Sequence, residues 1–145
     1  MHYVSKNPQA TVRLGAALGR TLRGGEVVTL RGNLGGGKTY FAKGIARGMG
    51  IRQRITSPTF VLMRVYRVRH GRIRYFCHVD AYRTKTSHEL QDIGLTELAG
   101  QPDTVTVVEW ADRVPDLLRP YKKITVHCTV AGPTRRTITV RRNRR

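Results

Sequence analysis

Acidic side chains are nearly missing from the first half of this 145-residue chain: among residues 1–79, Glu26 stands alone against fifteen lysines and arginines. Residues 80–120 reverse the balance with eight acids and four bases, and residues 121–145 return to eight bases and no acid, for a formal charge of +18. Such a field favours polyanions, nucleic acid first. An excess of arginine over lysine, 21 to 6, is also what a GC-rich coding bias produces with no binding role. Cysteine is scarce too. Cys77 and Cys128 lack metal-type spacing and sit in strand-like runs, so they read as small buried hydrophobes rather than a disulfide. No apolar run approaches the roughly 20 residues that span a bilayer, and residues 1–6 lack a signal peptide's apolar core. The expected location is cytoplasmic. With 39% hydrophobic residues and no repeats or linkers, residues 1–145 suit one well-buried domain, with 141–145 a frayed basic tail.

Glycine, in contrast, is concentrated. Residues 32–39 read G-N-L-G-G-G-K-T, the G-x-x-x-x-G-K-T pattern of a phosphate-binding P-loop. Gly35, Gly36 and Gly37 let successive backbone N–H groups turn inward around a polyphosphate, and a helix starting at Lys38 aims its positive end at the same place. Lys38 then reaches the terminal phosphates, and the Thr39 hydroxyl ligates Mg²⁺. The β-branched run 26–31 supplies the strand before the loop, and Phe41, Ala42, Ile45 and Ala46 give the helix after it an apolar face.

Upstream, Asn7-Pro8 is an N-cap with proline at the first helical position, and Gly24-Gly25 closes that helix. Residues 55–60, I-T-S-P-T-F, predict a fixed turn whose Thr56, Ser57, Pro58 and Thr59 suit either a nucleotide-sensing switch or a plain connector. Residues 61–68 and 72–79 alternate as two strands around a His70-Gly71 turn, and Arg67, Arg69, Arg72 and Arg74 crowd that hairpin. Like charges paired across strands are mildly destabilising, which points to a contact with RNA or another polyanion, or else to a solvated basic face. Thr86 to Glu89 fits a capping box, and residues 124–130 and 137–140 form a terminal hairpin around Gly132-Pro133. Antiparallel hairpins after a strand–loop–helix start predict an α/β, single-domain P-loop NTPase with a mixed central sheet flanked by helices.

A P-loop enzyme needs a carboxylate at the end of a neighbouring strand to hold Mg²⁺. Asp80 ends one apolar run and Glu109, followed by Trp110, ends another, so both suit the phosphate rim, although either could be a capping acid. His78, two residues before Asp80, points to the same side of its strand.

The motifs together, L-R-G-N-L-G-G-G-K-T, T-S-P-T-F-V-L, H-V-D-A-Y-R, I-G-L-T-E-L and V-V-E-W-A-D-R-V-P, resemble the bacterial TsaE (YjeE) family over nearly the whole chain. The resemblance implies an ATPase, slow alone, that acts with TsaB and TsaD to form the threonylcarbamoyl modification on adenosine 37 of tRNAs reading codons that start with A. It implies ATP and Mg²⁺ binding by Gly35, Gly36, Gly37, Lys38 and Thr39, a Mg²⁺ ligand in Glu109, a functional acid near the γ-phosphate in Asp80, and a place among the switch residues for the adjoining Trp110. It places Thr11 near the nucleotide base and, more loosely, Arg135 or Arg136 on the base side. The family usually has an acid at the position of Asn33 and a second threonine at that of Tyr40, where the hydroxyl near the α-phosphate is replaced but the N–H remains. Two other readings stand beside this one. One is a small-molecule P-loop kinase, for which no inserted lid segment is present; the other is a basic tRNA-binding adaptor without catalysis.

Overall fold

In the computed structural model, residues 1–56, 58 and 61–143 are described. Strand β1 (His2–Ser5) leads into helix α1 (Pro8–Thr21). Asn7 caps that helix with its side-chain oxygen, which accepts from the Ala10 N–H at 2.8 Å. After α1 the isolated acid Glu26 has a local purpose: its carboxylate accepts from the Arg23 and Gly24 N–H groups at 2.9 and 2.7 Å, closing the turn into β2 (Val27–Arg31). Helix α2 (Lys38–Gly48) follows the glycine loop, then the hairpin β3 (Met63–His70) and β4 (Ile73–Asp80). Two short helices, α3 (Ser87–Asp92) and α4 (Leu95–Leu98), precede β5 (Thr104–Glu109); a 3-10 turn, α5 (Pro115–Leu118), β6 (Lys123–Val130) and β7 (Arg136–Arg142) complete the chain.

The strands form one mixed sheet in the order β1-β7-β6-β2-β5-β4-β3. Its centre, β6, β2, β5 and β4, is parallel, and the outer pairings are antiparallel. Helices α1 and α2 cover one face over Leu30, Phe41, Ile45, Phe76, Val107 and Val126; the short helices cover the other over Val79, Leu90, Leu95 and Val108. Both cysteines are buried and free, and burial pushes each thiol up to about 12. No helix among the described residues is long and apolar enough to cross a membrane.

The architecture matches the expected mixed sheet flanked by helices, with local departures. Strand β1 was not read from the sequence; four residues with one buried side chain carry little alternation, and β1 exists because it pairs with β7, register His2 to Thr139. Pairing with β6 keeps β7 extended through Arg141 and Arg142, so these two residues are strand and not a frayed tail; Arg144 and Arg145 lie outside the described residues. Thr86 occupies the N-cap of α3 without a side-chain hydrogen bond, and Glu89 accepts from the Lys85 N–H at 3.2 Å rather than from that of Thr86, so neither bond of the expected capping box forms.

One contact organises the helical layer. Gly15 and Gly19 of α1 face Gly44 and Gly48 of α2, each a pair four residues apart on one helix face. A Cβ on Gly44 would lie 2.2 Å from the Val12 carbonyl oxygen, and one on Gly15 would lie 2.3 Å from that of Phe41. The two backbones therefore touch with no side chain between them. Alanine is the better helix former by about 1 kcal/mol, so an unconstrained Gly44→Ala change would stabilise. Here the clash reverses the sign, and Gly44→Ala should lower stability by about 2–3 kcal/mol in urea unfolding. An unchanged or raised midpoint would show that the helices do not meet backbone to backbone.

Candidate functional site

The carboxyl ends of the parallel strands β2, β5 and β4 open on one cleft of about 520 Å³, within the range of small-ligand sites. Its floor is the glycine loop. Gly32 (φ 133°) presses on β6 so closely that a Cβ would sit 1.9 Å from the Cys128 carbonyl oxygen, and Gly37 (φ 96°) is the left-handed N-cap of α2. Neither conformation suits another residue. The N-terminus of an eleven-residue helix thus faces the cleft with no acidic residue in its first turn to occupy it.

Lys38 is buried, and its Nζ donates to the Gly32 and Asn33 carbonyl oxygens at 2.6 and 2.8 Å while lying 4.1 Å from the centre of the Trp110 ring. Burial lowers its pKa from the ordinary lysine value, while Cys128, Glu109, Asp112 and Asp80 pull the other way. An anion in the loop would take over the two carbonyls' role.

Glu109 ends β5 with 2% exposure, and both its oxygens are engaged. The Thr39 hydroxyl donates to Oε1 at 2.8 Å, and the fully buried His78 donates from Nε2 to Oε2 at 2.6 Å. The register of β4 on β5 explains this: Asp80 is opposite Glu109, and His78, one pleat back on the same face, reaches under it. Asp80 is held by its own turn, with Oδ1 accepting from the Tyr82 N–H at 2.9 Å, and it lines the cleft. Trp110 adopts a left-handed backbone (φ 58°), which turns its ring back over the cleft, where Tyr82 packs on it at 4.8 Å between centroids.

On the far wall, Arg136 of β7 donates from Nε to the Gly35 carbonyl at 2.6 Å and from Nη1 to the Gly132 and Arg135 carbonyls at 3.1 and 2.8 Å, tying the loop's tip to the terminal hairpin. Thr11 lies beside Gly37, its hydroxyl 2.7 Å from that of Ser5 in β1. Tyr40 lines the rim, 45% exposed.

The cleft therefore gathers Thr11, Gly35, Gly36, Gly37, Lys38, Thr39, Tyr40, Asp80, Glu109, Trp110 and Arg136, all expected from the sequence. Of the switch residues, Thr56 is exposed and Pro58 buried, and neither lines the cleft; Ser57 and Thr59 lie outside the described residues. The hairpin arginines divide. Arg72 donates to the Arg23 carbonyl at 3.1 Å and Arg74 to the Gly71 carbonyl at 2.8 Å, whereas Arg67 and Arg69 stay exposed on the edge strand β3. Sequence reasoning missed His78 as the support of Glu109, Tyr82 as the partner of Trp110, and the rim formed by Asn7, Pro8, Pro133 and Thr134. The spacing of His78 and Asp80 was a signal for the first; nothing local marked the rim.

These residues fit a nucleotide polyphosphate and a hard divalent cation. The loop's inward backbone and Lys38 suit phosphate, and the bonded pair Thr39–Glu109 presents oxygen donors of the kind Mg²⁺ takes. Among the described residues no three His, Cys, Asp or Glu side chains cluster to hold a metal, so a cation here needs further oxygens from ligand and water.

Comparison with known proteins agrees with this geometry. A family model described as "Threonylcarbamoyl adenosine biosynthesis protein TsaE" matches residues 5–138. A curated relative from Treponema pallidum, named tRNA threonylcarbamoyladenosine biosynthesis protein TsaE, is 43% identical over 97% of this chain and 99% of its own. One of the same name from Bacillus subtilis is 36% identical over 92% of this chain and 80% of its own. The crystal structure of Bacillus subtilis YdiB superposes with a TM-score of 0.72 at 31% identity, covering 97% of this chain and 83% of that one.

The tie from Arg136 to Gly35 carries its own test. Removing a charge-assisted hydrogen bond costs about 1.5–3 kcal/mol, so Arg136→Ala should lower stability by up to about that amount in urea unfolding. An unchanged midpoint would mean that the loop holds its shape without the terminal hairpin.

Proposed function

This chain belongs to the TsaE family, and from that membership and the cleft we propose that it is a Mg²⁺-dependent ATPase of the cytoplasm, slow alone. It works with homologues of TsaB and TsaD in forming the threonylcarbamoyl group on adenosine 37 of tRNA. The observation that carries the reading is the hydrogen-bonded line from His78 through Glu109 to Thr39, set against the N-terminus of α2. The Thr39 hydroxyl ties that buried acid to the first turn of α2, beside the place where a phosphate would sit.

In this reading the loop N–H groups and the start of α2 receive the phosphates, and Lys38 leaves the Gly32 and Asn33 carbonyls to reach the terminal ones. When bound, Mg²⁺ neutralises phosphate charge and holds the phosphate oxygens in place. Thr39 and Glu109 are the residues that would hold it, and His78 fixes which way the Glu109 carboxylate faces. Asp80, opposite Glu109, orients the attacking water. Tyr82 and Pro8 with Thr11 bound the sides of the cleft and exclude solvent from the nucleotide. The stretch 56–60 acts as the switch that reports the γ-phosphate to the partners.

Two measurements test this. ATP hydrolysis is followed for the protein alone and with TsaB and TsaD homologues from the same source. Lys38→Ala should abolish turnover, and Glu109→Ala should lower Mg²⁺-dependent turnover roughly 100-fold while nucleotide still binds. Unchanged hydrolysis in Glu109→Ala removes that residue from the site, and none in any combination favours a kinase or an adaptor. The single tryptophan reports binding separately, because the Lys38 ammonium lies over its ring and is displaced when phosphate enters. Titrated with Mg²⁺ in the presence of an ATP analogue, His78→Gln should show about tenfold weaker metal affinity by that fluorescence. An unshifted titration would make His78 a packing residue only.

A further inference from the structure

Beside the nucleotide cleft, one concavity lies between α1 and α2 and a second between α2 and the segment 50–55. The first, of about 320 Å³, shares Pro8 and Tyr40 with the nucleotide cleft and is walled by Arg13 and Arg47. The next, of about 660 Å³, shares Arg47 and is lined by Lys43, Arg52 and Arg54 over a floor of Ile51 and Ile55. The shared residues make one path from the nucleotide rim, past the exposed ring of Tyr40, to the segment that enters the switch. Five cations line it, no acidic side chain does, and among the described residues none of the five forms an ion pair. Lys43 lies 5.6 Å from the centre of the Tyr40 ring and is only half-buried.

A row of unpaired cations around a concavity, within a chain of charge +18, is complementary to a polyanion with regularly spaced charges. An exposed aromatic between cations is how single-stranded nucleic acid is held without sequence preference. The β3–β4 hairpin competes poorly for this role, since Arg72 and Arg74 are engaged with backbone carbonyls. We propose that the path along α2 lined by Arg13, Lys43, Arg47, Arg52 and Arg54 is a binding path for single-stranded RNA, its backbone phosphates on the cations and a base against Tyr40. It deepens the tRNA assignment above by naming the surface and the form of RNA, a loop or unpaired end.

The test uses the full chain without nucleotide and a labelled mixed-sequence single-stranded RNA of about 12 nucleotides, followed by fluorescence anisotropy at several salt concentrations. Five phosphate contacts at about 0.7 each predict a slope of log K against log salt near −3.5, falling by about 1.4 in Arg47→Gln/Arg52→Gln. That pair should weaken RNA binding tenfold or more, while Arg67→Gln/Arg69→Gln, with the same charge change, should weaken it less than about threefold. Equal losses in the two variants would mean attraction by net charge alone. Preference for a duplex of equal length, or no binding by the unaltered protein at about 100 mM salt, would also overturn the proposal, the last leaving an acidic protein as the occupant. Retained binding of an ATP analogue, read at Trp110, confirms that the groove variant is folded. Because the RNA measurement needs no nucleotide, its failure leaves the ATPase assignment standing, and the reverse holds as well.

Discussion

The buried carboxylate of Glu109 is the constraint around which the rest is arranged. At 2% exposure it would be a costly group to hold in the interior, and it is tolerable because two donors from two other elements meet its two oxygens. Those donors dictate neighbours. Thr39 requires the first turn of α2 to stand over the end of β5, and His78 requires β4 to lie beside β5 in parallel register with Asp80 opposite. The order β2, β5, β4 in the sheet is what puts all three in reach. The polar centre is thus part of the core's construction, continuous with Phe76, whose ring lies 6.2 Å from that of His78.

The opposite wall is built from the chain's two ends. β1 and β7 pair at the sheet's edge, and from that edge Ser5 reaches Thr11 while Arg136 reaches the tip of the glycine loop. The loop is therefore held from below by Cys128 of β6, from the side by Arg136 and from behind by α2. A loop with left-handed glycines at 32, 35 and 37 becomes a fixed cradle because three separate elements limit it.

What could be read from the residues was what is encoded within a few positions. The glycine loop, the Asn7 cap and the carboxylates closing apolar runs are local patterns with local causes, and each lies where expected. What escaped depends on partners distant in sequence. β1 carries no alternation strong enough to announce a strand, and its identity comes from β7, more than 130 residues away. His78 and Asp80 were seen to share a face, but that His78 would carry Glu109 follows only from which strand lies next door. The hairpin arginines looked alike as a cluster, yet among the described residues two of the four reach carbonyls and two do not, a distinction made by the turn and by the residues after α1. The glycines at 15, 19, 44 and 48 sat inside helical patterns where they cost helix propensity, and their reason is visible only when both helices are present.

Those four glycines also decide where the molecule can yield. Helices that meet through side chains can slide by changing rotamers, whereas Gly15 and Gly44 leave backbone lying on backbone with nothing between to rearrange. The two helices therefore behave as a welded plate carrying the P-loop, Thr11 and, through Ser5, the first strand. A ligand seated in the glycine loop would find no give on that side. The contacts that could adjust lie toward β4, the stretch after Asp80 and the turn at Trp110, where rings and side chains meet. One flank of the fold is thus locked backbone to backbone, and the other is held by side chains that can change rotamer.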